Sequence, residues 1–143
     1  MSAPAGLDDG LRALVRLSAA IAASARTDLT SFLDRAIADA DPDEVEEALL
    51  QSHLFTGFPA TLNAFALWRE RSGLPAPPDG EAALAESTWA DRGAATCLSV
   101  YGRAYAPLRD NIRRLSPAME RWMIEHGYGT VLGRPGLALG RRE

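Results

Sequence analysis

Two histidines and one cysteine are the side chains of this 143-residue sequence best suited to proton transfer or nucleophilic attack near neutral pH. His53 sits in the run ALLQSHLFTGF, with Glu46 seven residues before it. A half-buried imidazole there suits general-base work. The commoner role of a lone histidine on such a helix is a core-edge group satisfied by one hydrogen bond. His126 lies far along the chain and no cysteine cluster joins the two, so no His–Cys zinc site and no metal are expected. Cys97 stands alone among small residues. A single cysteine excludes an internal disulfide and a CxxC redox pair, and Cys97 reads as a small buried hydrophobe. Asn63 is a candidate for orienting a carboxylate or carbonyl, or for tying one helical turn to another. Arg109, Arg113 and Arg114 of RDNIRRL are spaced to grip an anion bidentately, or to form a solvated or interface face. In GRPG, Gly133 to Gly136, proline and glycine fit the corners of a tight turn. Arg134 is placed to tie that turn down or to bind. The tryptophans and tyrosines read as packing anchors, and no cofactor is implied.

Composition narrows the classes further. All 15 basic residues are arginine, which removes a Schiff-base lysine, a P-loop lysine and a lysine general base. A net charge of −4 argues against non-specific nucleic-acid binding. Hydrophobic residues at 47% and charged residues at 24% are ordinary for a globular chain, and the length suits one domain with a core. No apolar run approaches the ~20 residues of a membrane-spanning helix. RLSAAIAASA has the small residues of a signal-peptide cleavage site, but Asp8 and Asp9 precede it where positive charge is expected. The expectation is a helix in a cytoplasmic protein.

The elements that must position these groups read as helices throughout. A loose start over 1–9 precedes a helix over 10–25, with Leu11, Leu14, Val15, Ser18 and Ile21 at three- and four-residue steps. Asp28 and Leu29 open a second helix to about Asp39. DPDEVEEALLQ gives Asp41 as N-cap, Pro42 at the first helical position and Glu44 at the third, a capping-box arrangement. From Ala48 to Phe58 the polar face almost vanishes, which predicts a buried central helix. Gly57 should end it and Pro59 start the next, with Leu62, Phe65, Ala66 and Arg69 along one face. LPAPPDG, 74–80, is a Pro-rich linker and the expected subdomain boundary. Beyond it a weaker helix is expected to break at Gly93, APLRDNIRRL to continue it or restart after Pro107, and a short one to start at Ser116-Pro117 and stop at Gly127 and Gly129. No stretch alternates long enough for a strand. The fold expected is all-α, about seven helices.

Three stretches together resemble the carboxymuconolactone decarboxylase-like proteins, a family that includes the AhpD-type alkylhydroperoxidases. EVEEALLQSHLFTGFPATLNAFALWRE is similar to the family's central helix pair. WMIEHGYGTVLGRPGLALGRRE is similar to its GYG and RPGL turns, which lead into a helix beginning REL. VYGRAYAPLRDNIRRLSP resembles the connector of two-unit members. The resemblance covers about 10–70 and 95–143, and implies an AhpD-like helical bundle. It also implies oligomers assembled through helices, and lyase chemistry on a small carboxylic acid or lactone or thiol-based peroxiredoxin activity. The peroxidase groups do not carry over. The Glu position falls near Ala13, the two cysteines near Ala25 and Asp28, and the His near Phe32. Without a CxxC pair the self-contained thiol mechanism is closed.

In the family the glutamate of the REL stretch corresponds to the peroxidase proton-relay group, and here GRRE supplies it as Glu143. The ending reads as the start of a missing helix. The chain therefore reads as a helical unit, 10–73, plus a connector, 81–143, of a two-unit member. Such a degenerate or partial unit works in a homo-oligomer or with a second family unit, with His53 and Glu143 as candidate catalytic residues and Asn63 and Arg134 as candidate binding residues. The alternative is a structural or oligomerisation module without chemistry. Partners implied are copies of the chain or a second unit, and a small carboxylic acid; no nucleic acid and no membrane.

Overall fold

The computed structural model describes residues 6–23 and 28–143. Most of the loose start, the expected helix end at residue 25, and the position of Ala25 lie outside the described residues. Every regular element among those described is helical, so the fold is all-α. In order they are α1 (Asp9–Ala22), α2 (Leu29–Asp39), α3 (Pro42–Ser72), α4 (Glu86–Tyr101), a 3-10 turn (Gly102–Ala104), α5 (Tyr105–Leu115), α6 (Pro117–Trp122), a π-helix (Met123–Leu132) and α7 (Leu139–Arg142). They form two compact units, Met1–Pro77 with Gly136–Glu143, and Pro78–Pro135.

Local chemistry sets the starts of the first unit's helices. Asp8, Asp28 and Asp41 each accept a hydrogen bond from a backbone N–H in the first turn, at 2.7, 2.9 and 2.9 Å. Pro42 occupies the first helical position after Asp41. Glu44 does not complete a capping box; both its carboxylate oxygens turn to Arg141. The core of this unit is built from Leu14, Leu17 and Ile21 of α1, Leu33 and Ala36 of α2, and Val45, Leu49, Ala64 and Trp68 of α3.

α3 is not one rod. Gly57 adopts φ 80° and ψ 169°, a backbone conformation open to glycine and strained for any other residue. In a straight helix Glu46 and Trp68 would stand roughly 33 Å apart. Instead Trp68 donates Nε1–H to Glu46 Oε1 at 2.6 Å, and Arg69 donates to Glu46 Oε2 at 2.6 Å. The chain therefore doubles back at Gly57 into a helical hairpin with arms 42–56 and 58–72.

Burial of that hairpin differs from the expectation. On the first arm Val45, Ala48, Leu49 and Ser52 are buried, but Phe55 is 74% exposed. On the second arm the buried face is Thr61, Ala64 and Trp68, whereas Phe58 is 66% and Leu62 60% exposed. An apolar surface on all sides predicts a central helix; here the hairpin packs one side on α1 and α2 and leaves Phe55, Phe58 and Leu62 uncovered.

In the second unit α4 and the π-helix meet backbone to backbone. A Cβ on Gly93 would overlap the Ile124 carbonyl and come within 3.0 Å of the Gly129 nitrogen. A Cβ on Gly129 would overlap the Trp89 carbonyl. Gly93 thus does not break α4, and Gly127 and Gly129 do not end the helix that starts at Ser116. Ser116 caps that helix by accepting from the Met119 N–H at 3.2 Å, and Pro117 opens it. It then widens to π spacing, with Gly133 N–H donating to the Tyr128 carbonyl at 2.8 Å. Cys97, one turn beyond Gly93, is fully buried.

Candidate functional site

The first unit holds a cleft of about 370 Å³ between α1, the first arm of α3 and the segment that ends the chain. Leu11, Leu14, Val15 and Leu137 make its apolar walls, and Gln51, Arg141, Arg142 and Glu143 its polar end. Size and lining fall within the range of small-molecule sites. Two ion-pair groups build the polar end. Arg142 donates Nη2–H to Glu47 Oε2 at 2.8 Å, Nη1–H to Gln51 Oε1 at 3.2 Å and Nε–H to the Leu137 carbonyl at 3.0 Å. Its side chain is 1% exposed and that of Glu47 9%. Gln51 returns a bond to the Arg142 carbonyl at 3.0 Å. Arg141 bridges Asp8 at 2.6 Å and Glu44 at 2.8 Å. That contact holds the Asp8 carboxyl below its ordinary value, chiefly through the Arg141 hydrogen bond, helped by the Leu11 N–H. Both guanidinium groups are thus matched by carboxylates of the same unit.

Of the candidates read from sequence, Glu143 lines this cleft and is exposed. His53 is not among the lining residues. Its ring stacks on Phe58 with centroids 5.2 Å apart. Its Nδ1 lies 2.6 Å from the Leu50 carbonyl oxygen; a carbonyl only accepts, so the proton sits on Nδ1. Asn63 is exposed on the second arm of α3. Arg134 belongs to the second unit, where it lies 3.4 Å from Glu81. The structure thus brings Glu143 together with Gln51, Arg141 and Arg142, and places His53, Asn63 and Arg134 elsewhere.

The second unit carries its own paired charges. Arg92 grips Glu81 with two bonds of 2.7 and 2.8 Å and donates Nε–H to the Gly129 carbonyl at 2.7 Å. The Arg92 hydrogen bond, against partial burial, holds the Glu81 carboxyl below its ordinary value. Glu120, buried, accepts from Arg109 at 2.5 Å and from Arg113 at 3.1 Å. Burial works against its charge, but these two arginines outweigh that and lower its pKa. Arg109 and Arg113 are therefore engaged within the unit, while Arg114 contacts Asn111. Burial pushes the Cys97 thiol up, the opposite of what a reactive thiolate requires.

The expectation of a buried central helix covered Ala48 to Phe58, and of that run Phe55 and Phe58 are exposed. Positions 58, 59, 62, 63 and 66 are all exposed and fall on one arc of the second arm, opposite the buried Thr61, Ala64 and Trp68. Residues 48–68 contain no Asp, Glu or Arg, so nothing charged interrupts that face. The four-residue spacing of Phe58, Leu62 and Ala66 was readable. What hid it was that both sides of the arm are apolar. Glu47, Gln51 and Arg142 were missed because their partners lie more than 90 residues away, at sequence separations of 91 and 95.

No family model matches the chain, and neither a curated protein nor a solved structure matches it.

Proposed function

We propose that this chain is a helical interaction module whose working surface is the outer face of the α3 hairpin. One observation carries the reading: Phe55, Phe58 and Leu62 stand 60 to 74% exposed in a stretch without a charged residue. Three such side chains present roughly 400 Å² of apolar surface, the size of the largest apolar patch on a typical monomer, which is often functional. The second unit also exposes Leu115, Met119 and Trp122, but Arg113, Arg114 and Arg121 interleave with them, so that patch is broken by charge. Catalytic use finds less support. Arg141 and Arg142 at the cleft, and Arg92 and Arg109 in the second unit, are matched by carboxylates, and Cys97 is buried with a raised pKa.

Replacing Phe55, Phe58 and Leu62 together by serine tests the reading. The urea unfolding midpoint should move by less than about 1 kcal/mol equivalent, as for surface positions, while binding of anilinonaphthalene sulfonate falls. A loss of several kcal/mol would identify the face as core and remove the reading.

A second reading has its own observation. The 370 Å³ cleft, with apolar walls and Gln51, Arg142 and Glu143 at one end, has the shape for a small aromatic or cyclic acid. That use would match a degenerate decarboxylase-like unit. It ranks second because Arg141 and Arg142 are already neutralised by Asp8, Glu44 and Glu47. On this reading titration with benzoate shifts the amide resonances of Leu14 and Gln51. Unmoved resonances at millimolar benzoate would dismiss it.

A further inference from the structure

The geometry points to a binding site for a small organic cation, a primary ammonium on an apolar body, in the second unit. It lies apart from the α3 face and does not depend on the interaction-module reading. A cavity of about 430 Å³ opens between the first turn of α4 and the wall made by α6 and the π-helix, a size that suits a small molecule. Glu86 and Trp89 reach it from α4. Glu125, His126 and Thr130 reach it from the π-helix, whose wider turn sets residues four and five apart on one face.

Three observations define the ligand. The first is charge. Glu86 and Glu125 line the cavity against one cation, Arg121, which pairs with Glu125 at 3.2 Å. Two carboxylates against one guanidinium leave one negative charge over, and no cation among the described residues matches Glu86. The second is a tautomer. Thr130 Oγ1–H donates to the His126 carbonyl at 2.7 Å. With its one proton so used, the hydroxyl oxygen accepts from His126 Nδ1–H at 2.9 Å. The neutral imidazole therefore keeps its lone pair on Nε2, an acceptor for an N–H donor. The third is the half-buried Trp89; an indole face attracts an ammonium and packs against its apolar body.

The same groups disfavour other ligands. A carboxylate or phosphate would meet Glu86 and Glu125 as like charges. No three His, Cys, Asp or Glu side chains among the described residues are grouped to hold a metal ion. A quaternary ammonium brings no N–H for Glu86 or for His126 Nε2.

Trp89 supplies the readout. Its Nε1 is buried without a hydrogen-bond partner, and three tryptophans give three indole N–H resonances. Titration of the ¹⁵N-labelled full chain with phenethylammonium should move the Trp89 indole signal saturably. A dissociation constant of about 1–10 mM is expected of a small ligand held by a few contacts. The neutral analogue 2-phenylethanol and the anion 3-phenylpropionate should each bind at least about fivefold more weakly, because each lacks the charge that Glu86 meets. Glu86→Gln should weaken phenethylammonium by about the same factor. Asp91→Asn removes the same charge from an exposed position outside this cavity and should change the affinity less than about twofold. An indole signal unmoved at 50 mM phenethylammonium would overturn the proposal. So would equal binding of the alcohol, or equal effects of Glu86→Gln and Asp91→Asn. None of these results bears on the α3 face, which the triple-serine variant tests separately.

Discussion

Arg142→Ala costs about 3–5 kcal/mol of stability, the penalty for leaving a buried carboxylate without its cation. The guanidinium holds Glu47, Gln51 and the Leu137 carbonyl at once, and both members of the ion pair are nearly sealed from water. Gly136 adds to the constraint. A Cβ there would come within 2.7 Å of the Glu47 side chain, so the terminal segment lies directly on that carboxylate. Urea unfolding measures the loss, and hydrogen exchange locates it: the amides from 137 to 142 should lose protection before those of α1 and α2. Replacing both partners with apolar residues, Glu47→Leu with Arg142→Met, should restore most of the stability, because no buried charge is left unmatched. A single alanine variant within 1 kcal/mol of wild type, its terminal segment still protected, would show that the pair contributes little.

Gly129→Ala is the second large effect. The added methyl would have to enter the space held by the Trp89 carbonyl, and Gly93→Ala the space of the Ile124 carbonyl. These obstacles are backbone atoms, so no rotamer change relieves them; α4 and the π-helix must move apart. Overpacking of this kind costs roughly 3 kcal/mol. For a unit of about 60 residues that is on the order of 15 °C in melting temperature. Gly80→Ala is the internal control, since a Cβ there meets nothing within 4 Å and should change the melting temperature by a degree or two. Equal effects of the two substitutions would contradict the close packing of α4 on the π-helix.

Local chemistry in the sequence was a good guide to where helices begin. Asp28, Asp41 with Pro42, and Ser116 with Pro117 each satisfy an N-terminal N–H within a few residues, so the signal and its effect sit together. Gly57 was equally legible as a break, although the chain resumes its helix at once. Legibility failed where a residue's role is set by something distant. Gly93 and Gly129 have the composition of helix breakers, but their lack of a side chain serves the approach of two helices 36 positions apart. Arg141 and Arg142 read as the opening of a further helix, and they do lie in the short α7 (Leu139–Arg142); what the sequence did not show is that their side chains turn back to Asp8, Glu44 and Glu47. The apolar run from Ala48 to Phe58 was the most misleading. Hydrophobicity on every side is compatible with a buried helix and with a hairpin that buries one face and presents the other. Only the packing of α1 and α2 on one side separates the two.

The interaction surface follows from that last distinction, and the triple variant Phe55→Ser, Phe58→Ser, Leu62→Ser tests it most directly. All three side chains stand 60 to 74% exposed. The account predicts that the unfolding free energy of this variant stays within about 1 kcal/mol of wild type while anilinonaphthalene sulfonate binding falls. A loss of several kcal/mol, or dye binding that does not change, would contradict an exposed apolar face on α3.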